Sequence, residues 1–174
     1  MNLMSNIGSV YTIKGKDSTQ RRPSMDRYGY ADEILEIEKA TTFGEFADIA
    51  IRVLKRMVQP VGMVCGPIST GGTGSVEKNL ERFHRAIRFL RYQGVTVFSQ
   101  LPFENKIFEM KTWPMYKGDS HLLKELYLPM FESRLIHSFY FLPNWETSNG
   151  ASWEHAQAKH LGIRIIYYKD IVVF

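Results

Sequence analysis

From residue 61 onward the sequence predicts an α/β fold: a parallel sheet with helices on both faces. Short apolar runs of strand length alternate with stretches of helical period, the pattern of repeated strand–helix–strand units. Glycine-rich loops follow two of those runs, where strands hand over to helices. The chain has 174 residues, 44% of them apolar and 23% charged, which suits one globular domain and excludes disordered and fibrous classes.

The rest of the composition narrows the function classes. No apolar run approaches the roughly 18–20 residues of a membrane span. The start, MNLMSNIGSV, lacks the basic flank and apolar block of a secretory signal. One cysteine, Cys65, forms no intrachain disulfide and supplies no zinc cluster, so a reducing cytoplasm is the expected setting. A net charge of +4 and a pI near 9.1 fit an anionic small ligand. Without a Lys/Arg block they give no argument for polymeric nucleic acid or a membrane surface.

The elements follow in order. Residues 1–30 form an arm with no helical or strand period, either a loose tail or a segment docking on a neighbouring subunit. A helical extension spans 31–60. In it Thr42 precedes Glu45 at capping-box spacing, and Phe46, Ala50, Val53, Leu54 and Met57 share one helical face before Pro60. The α/β domain is 61–174. Its expected strands are Val61–Cys65, 95–98, 135–142, 163–168 and an edge strand at 171–174. Between them lie a helix faced by Val76, Leu80, Phe83, Ile87 and Leu90, a helix over 119–131 and one over 150–160, while 100–118 reads as irregular. In such sheets ligands bind beyond the carboxyl ends of the strands, where both glycine-rich loops lie.

The first loop, GPISTGGTG, combines glycines that admit close backbone approach with several hydroxyls, and a helix start follows it. It lacks the lysine of a phosphate-binding NTPase loop and the third glycine of a dinucleotide fingerprint. It is either a flexible turn or a site for an anionic or sugar ligand. The second, PNWETSNG, opens a helix carrying Glu154. Proximity to the positive helix end predicts a lowered pKa and an ionised carboxylate, either simply solvated or able to attack an electron-poor carbon. Ser148 and the N–H groups of Asn149 and Gly150 are candidates to hold a phosphate there. His155 and His160 are five residues apart and make no i, i+4 metal pair. Phe103, Trp113, Tyr116 and Trp145 fall near strand ends, where a base could stack.

Both loops together resemble the nucleoside 2-deoxyribosyltransferase superfamily, which includes 2'-deoxynucleoside 5'-phosphate N-hydrolases. The first strand ends in Cys65, Gly66, Pro67, Ile68, Ser69, Gly71 and Gly72, similar to CGPIS-GG. The later pattern LP-W-x-x-S-x-GA-x-x-E-x-x-x-A is matched by Leu142, Pro143, Trp145, Ser148, Gly150, Ala151, Glu154 and Ala158. The resemblance covers about residues 61–168. It implies a flavodoxin-like, Rossmann-like parallel five-stranded sheet and cleavage of an N-glycosidic bond in a nucleoside or nucleoside 5'-monophosphate, by hydrolysis or by transfer of deoxyribose. It implies Glu154 as nucleophile, Ser148 and the loop around Ser69 to Gly72 at a phosphate, no metal and no organic cofactor, and a homo-oligomer. His137 stands where many relatives carry an aspartate; a histidine there can donate a proton to a leaving base, mark a lost activity, or have no chemical task. The alternative to an enzyme is a non-catalytic nucleotide-binding or scaffold protein that keeps the fold.

Overall fold

The computed structural model describes residues 32–168, so the expected arm over 1–30 and the edge strand over 171–174 lie outside the described residues. Among these residues the sheet has the four parallel strands expected there, in the order β2-β1-β3-β4: β1 (Val61–Cys65), β2 (Thr96–Phe98), β3 (Ile136–Phe141) and β4 (Arg164–Tyr167). β1 lies between β2 and β3 and is buried along its whole length, as its unbroken apolar run requires. Its side chains alternate. Met63 and Cys65 enter the larger core, and Val64 enters a smaller one on the other face. The smaller core is closed by α3 (Val76–Tyr92), through Phe83, Ala86, Ile87 and Leu90.

The larger core is covered by the remaining long elements. α1 (Ile34–Lys39) and α2 (Phe43–Arg56) precede the sheet in sequence but pack on it. Ile37, Phe46, Ala50 and Val53 share one apolar cluster with Met63, Phe98 and Phe139. The capping box forms as its spacing requires: the Glu45 N–H donates to Thr42 Oγ1 at 3.2 Å, and the Thr42 N–H donates to Glu45 Oε2 at 2.9 Å. Segment 31–60 thus holds two helices that complete the sheet's own core. Among the described residues no helix is long and apolar enough to cross a membrane.

The stretch read as irregular contains a ten-residue helix, α4 (Leu101–Met110). Pro102 sits in its first turn, where a missing N–H costs nothing, and Phe103, Ile107 and Met110 recur at offsets 0, 4 and 7. Glu104 on the same face breaks the apolar stripe and masks the period. After a loop, α5 (Asp119–Leu122) runs through a π-helical turn at Leu123–Tyr127 into α6 (Leu128–Glu132), close to the single helix expected there. β3 leads into a short 3₁₀ turn at Trp145–Thr147 and then α7 (Asn149–Leu161), which Gly162 ends in the left-handed conformation.

The burial of Phe46, edge-on to Phe103 at 5.4 Å between ring centroids, makes α2 part of the folding unit. Phe46→Ala is expected to cost about 3–5 kcal/mol in urea unfolding. Helical and aromatic signals should shift together; a sheet core that unfolds at the wild-type midpoint would make α2 an appendage.

Candidate functional site

β1 and β3 are hydrogen-bonded neighbours, so their loops emerge side by side. The Leu142 N–H donates to the Cys65 carbonyl at 2.9 Å, carrying the pairing one residue past the strands. The loops are then clasped. Thr147 Oγ1 accepts from the Gly72 N–H at 2.7 Å and donates to the Asn144 carbonyl at 2.7 Å. A Cβ on Gly71, whose φ is +71°, would lie 2.4 Å from the Thr147 carbonyl oxygen, so glycine is needed where the two backbones meet. Buried Asn79, on the first turn of α3, holds the first loop in shape. Its Nδ2 donates to the carbonyls of Ile68 and Gly71, and its Oδ1 accepts from the N–H and hydroxyl of Thr73.

A cavity of about 130 Å³ opens beyond these strand ends. Gly66, Ile68 and Ser69 line it from the first loop, and Ser148, Asn149, Gly150 and Glu154 from the start of α7. Those are seven of the residues singled out from sequence, and Cys65 lies beneath them in contact with Glu154. Ser148 caps α7, its hydroxyl accepting from the Ala151 N–H. Pro67, Gly71 and Gly72 do not line the cavity; they shape and clasp its loop. Trp145 is also outside it, stacked on the His155 ring at 4.2 Å, and His155 in turn is 2.7 Å from the Tyr167 hydroxyl. Phe103 is in the core, and Trp113 and Tyr116 line a separate apolar hollow.

His137 is not brought to the site. It lies exposed on the first turn of β3, in the bulge where Val61 faces Ile136 and Gly62 faces Ser138, while the cavity lies at the carboxyl end. The strand runs its full length of six residues, so the imidazole is at the opposite edge of the sheet.

The far wall is α4. Gln100, Glu104, Ile107 and Lys111 follow one another at helical spacing along the cavity. Glu104 and Glu154 are both buried, with 6% and 7% of their surfaces exposed. Burial pushes Glu154 up to about 8; the Cys65 thiol beside it draws it down, and the Glu104 charge adds to the rise. Burial likewise pushes Glu104 up to about 7, against the pull of Lys111. The expected ionised Glu154 is therefore corrected. The residue sits in the second turn of α7, beyond the free N–H groups, and desolvation outweighs the helix dipole. Lys111 Nζ pairs with Asp119 at 2.8 Å at the rim, and the Tyr116 hydroxyl donates to the same carboxylate. Gln100 Nε2 donates to the Val64 carbonyl at 3.0 Å, and its Oε1 is buried with no partner. Among the described residues no group of three His, Cys, Asp or Glu side chains is placed to hold a metal ion. The arrangement offers helix-end N–H donors for an anion and two desolvated carboxyls for proton transfer or attack.

Residues 63–167 match the model described as "Domain of unknown function (DUF4406)". The chain belongs to the DUF4406 family. No curated protein and no solved structure matches it. The DUF4406 segment runs from inside β1 to the last residue of β4 and contains both clasped loops and both cavity glutamates. α1 and α2 precede it. Glu104, Gln100 and Asn79 were missed in the sequence. The signal for the first two was the helical spacing of Phe103, Ile107 and Met110, while nothing in the residue order marked Asn79.

Two outcomes test this geometry. Gly71→Ala, by forcing the clasped loops apart, is expected to lower the melting temperature and abolish any ligand protection of the 66–75 loop in hydrogen exchange. The buried glutamates make stability fall with pH. In the unfolded chain Glu154 ionises near 4.5, in the folded one near 8, so the native state binds more protons over that window. Glu154→Gln is expected to melt at the wild-type temperature below about pH 4.5 and at progressively higher temperatures than the wild type as pH rises to about 8. A pH-independent difference would show that Glu154 is not the group that titrates.

Proposed function

We propose that this protein cleaves the N-glycosidic bond of a nucleoside or nucleoside 5'-monophosphate, with Glu154 as the nucleophile on the anomeric carbon. The observation that carries the reading is a desolvated glutamate on α7, in a cavity whose other end is the start of that same helix. An anion held by the N–H groups of Asn149 and Gly150 and by the Ser69 loop leaves the sugar ring lying along α7 toward Glu154. The strand order 2-1-3-4 agrees with a flavodoxin-like sheet, in which ligands bind at this edge. The resemblance of both loops to the nucleoside 2-deoxyribosyltransferase superfamily supports the bond type and the role of Glu154.

The chemistry follows from the site. A carboxyl kept neutral by burial passes its proton to solvent or to the Glu104 carboxyl of the same cavity when an electron-poor sugar carbon is set against it, because opposite charge stabilises the carboxylate in low dielectric. Attack forms a glycosyl ester and releases the base. Water completes a hydrolysis, and a second base completes a transfer. His137 takes no part, since it lies at the other edge of the sheet.

Incubation with a panel of nucleosides and their 5'-monophosphates, with free base followed by chromatography, tests the reading. Glu154→Gln is expected to lower base release at least about a thousandfold while ligand affinity changes little. Wild-type rates in that variant would remove Glu154 from the reaction. Tight monophosphate binding by the wild type with no base released from any member of the panel would make this a binding protein.

A further inference from the structure

The reading above needs an acid as well as a nucleophile. A purine or pyrimidine leaves as an anion unless its nitrogen is protonated while the bond breaks, and Glu154 cannot both attack and donate. We propose that Glu104 on α4 is the acid that protonates the departing base. This rests on the N-glycosidic reading of the same cavity.

The argument begins with position. Glu104 faces the cavity from α4 and Glu154 from α7, with the bound sugar expected to lie along α7. A base attached to that sugar is thereby directed toward the α4 wall. Gln100, one turn before Glu104, supports this orientation: its amide is fixed by the bond from Nε2 to the Val64 carbonyl, leaving Oε1 as a buried acceptor without a donor. Such an acceptor costs stability unless a ligand or water supplies a hydrogen. The α4 wall thus has the features of a ligand-facing surface.

Charge comes next. The titratable groups that share the cavity with Glu104 are Lys111 at the end of its own helix, Glu154 on α7, Asp119 at the start of α5 and Tyr127 in the π-helical turn, with Cys65 in contact with Glu154. Lys111 favours an ionised Glu104, but its ammonium is already paired with Asp119 at 2.8 Å. Two carboxyls sharing a desolvated cavity do not ionise together, so around neutral pH the pair carries one proton. Setting the sugar carbon against Glu154 favours the charge there and leaves the proton on Glu104.

The step balances. The Glu154 carboxylate forms a bond to the anomeric carbon as the C–N bond breaks. The electron pair of that bond passes to the base nitrogen, which takes the Glu104 proton. Water then attacks the anomeric carbon, returns a proton to the Glu104 carboxylate and frees Glu154. The sum is N-glycoside plus water giving sugar and protonated base.

The test compares two leaving groups on one sugar phosphate: adenine, which needs a proton, and nicotinamide, whose cationic ring departs neutral without one. In single-turnover measurements of base release, the step before water attacks, Glu104→Gln is expected to lose about 100-fold or more with adenine and less than about tenfold with nicotinamide. In the wild type, adenine release should fall as pH rises through about 8 and the pair loses its last proton, while nicotinamide release should not. That second measurement needs no variant and decides the matter if Glu104→Gln does not fold. Equal losses on both substrates, or the same alkaline limb on both, would overturn the role of Glu104 and leave Glu154 untouched. A wild-type protein that releases neither base overturns the N-glycosidic reading and this inference with it.

Discussion

The parallel pairing of β1 with β3 is the constraint on which the rest of the site depends. Those strands are separated in sequence by α3, β2, α4, α5 and α6, yet they exchange ladder hydrogen bonds along most of their length. Two features allow the approach. Gly62 has no side chain where a Cβ would lie 2.6 Å from the Tyr140 ring, and Gly66 has none where it would press on Leu142. Without this contact the first loop and the start of α7 would not converge, and the Gly72–Thr147 clasp would have no partner. Pairing across so long a connection is costly in chain entropy, and it is maintained by apolar cores on both sheet faces.

Within that frame the two glutamates work against stability. Each takes a carboxyl out of water, and neither is placed in a direct ion pair: Lys111 pairs with Asp119 instead. Packing does not require carboxyls at positions 104 and 154; an apolar side chain at either would extend the surrounding core. A buried acid without a charged partner is a candidate for a group that moves protons, because desolvation is what shifts its proton affinity toward neutrality.

Much of this was legible in the sequence, and what was not has physical causes. The β1 run and the α2 and α3 faces could be read because every residue on the buried side is apolar, so period and burial coincide. The Ser148 to Glu154 spacing placed those residues at one helix start, and they line one cavity. α4 was hidden by the residue that matters most on it: Glu104 occupies an apolar-face position and breaks the period that identifies a helix. The charge state of Glu154 was misjudged because a helix position conveys the dipole but not the depth of burial, which here comes from α4 and the π-helical turn across the cavity. His137 was drawn toward the site by its place in a motif. The strand's direction puts it at the other end, and only the number of residues actually in β3 decides that.

The placement of Glu154 in the second turn of α7 also separates two tasks that a glutamate at the helix start would confound. An acid among the first N–H groups would occupy the donors that an anionic ligand needs and would repel the anion itself. Five residues further on, at 1.5 Å per residue, the Glu154 Cα lies about 7.5 Å along the axis from that of Asn149. The carboxyl is thus set back from the helix end, with its side chain leaning toward it. The helix end is thereby left clear of the carboxylate, with Ser148 engaged as its cap and Asn149 and Gly150 lining the cavity. In the proposed reaction the carboxyl meets only the neutral body of the ligand until bond breaking gives that body positive charge. Because the proton affinity of Glu154 is raised by burial and not lowered by the dipole, its charge is greatest in value when the sugar becomes cationic. The interaction is then stronger in the transition state than in the ground state, which is the condition for a site to accelerate a reaction instead of only binding its substrate.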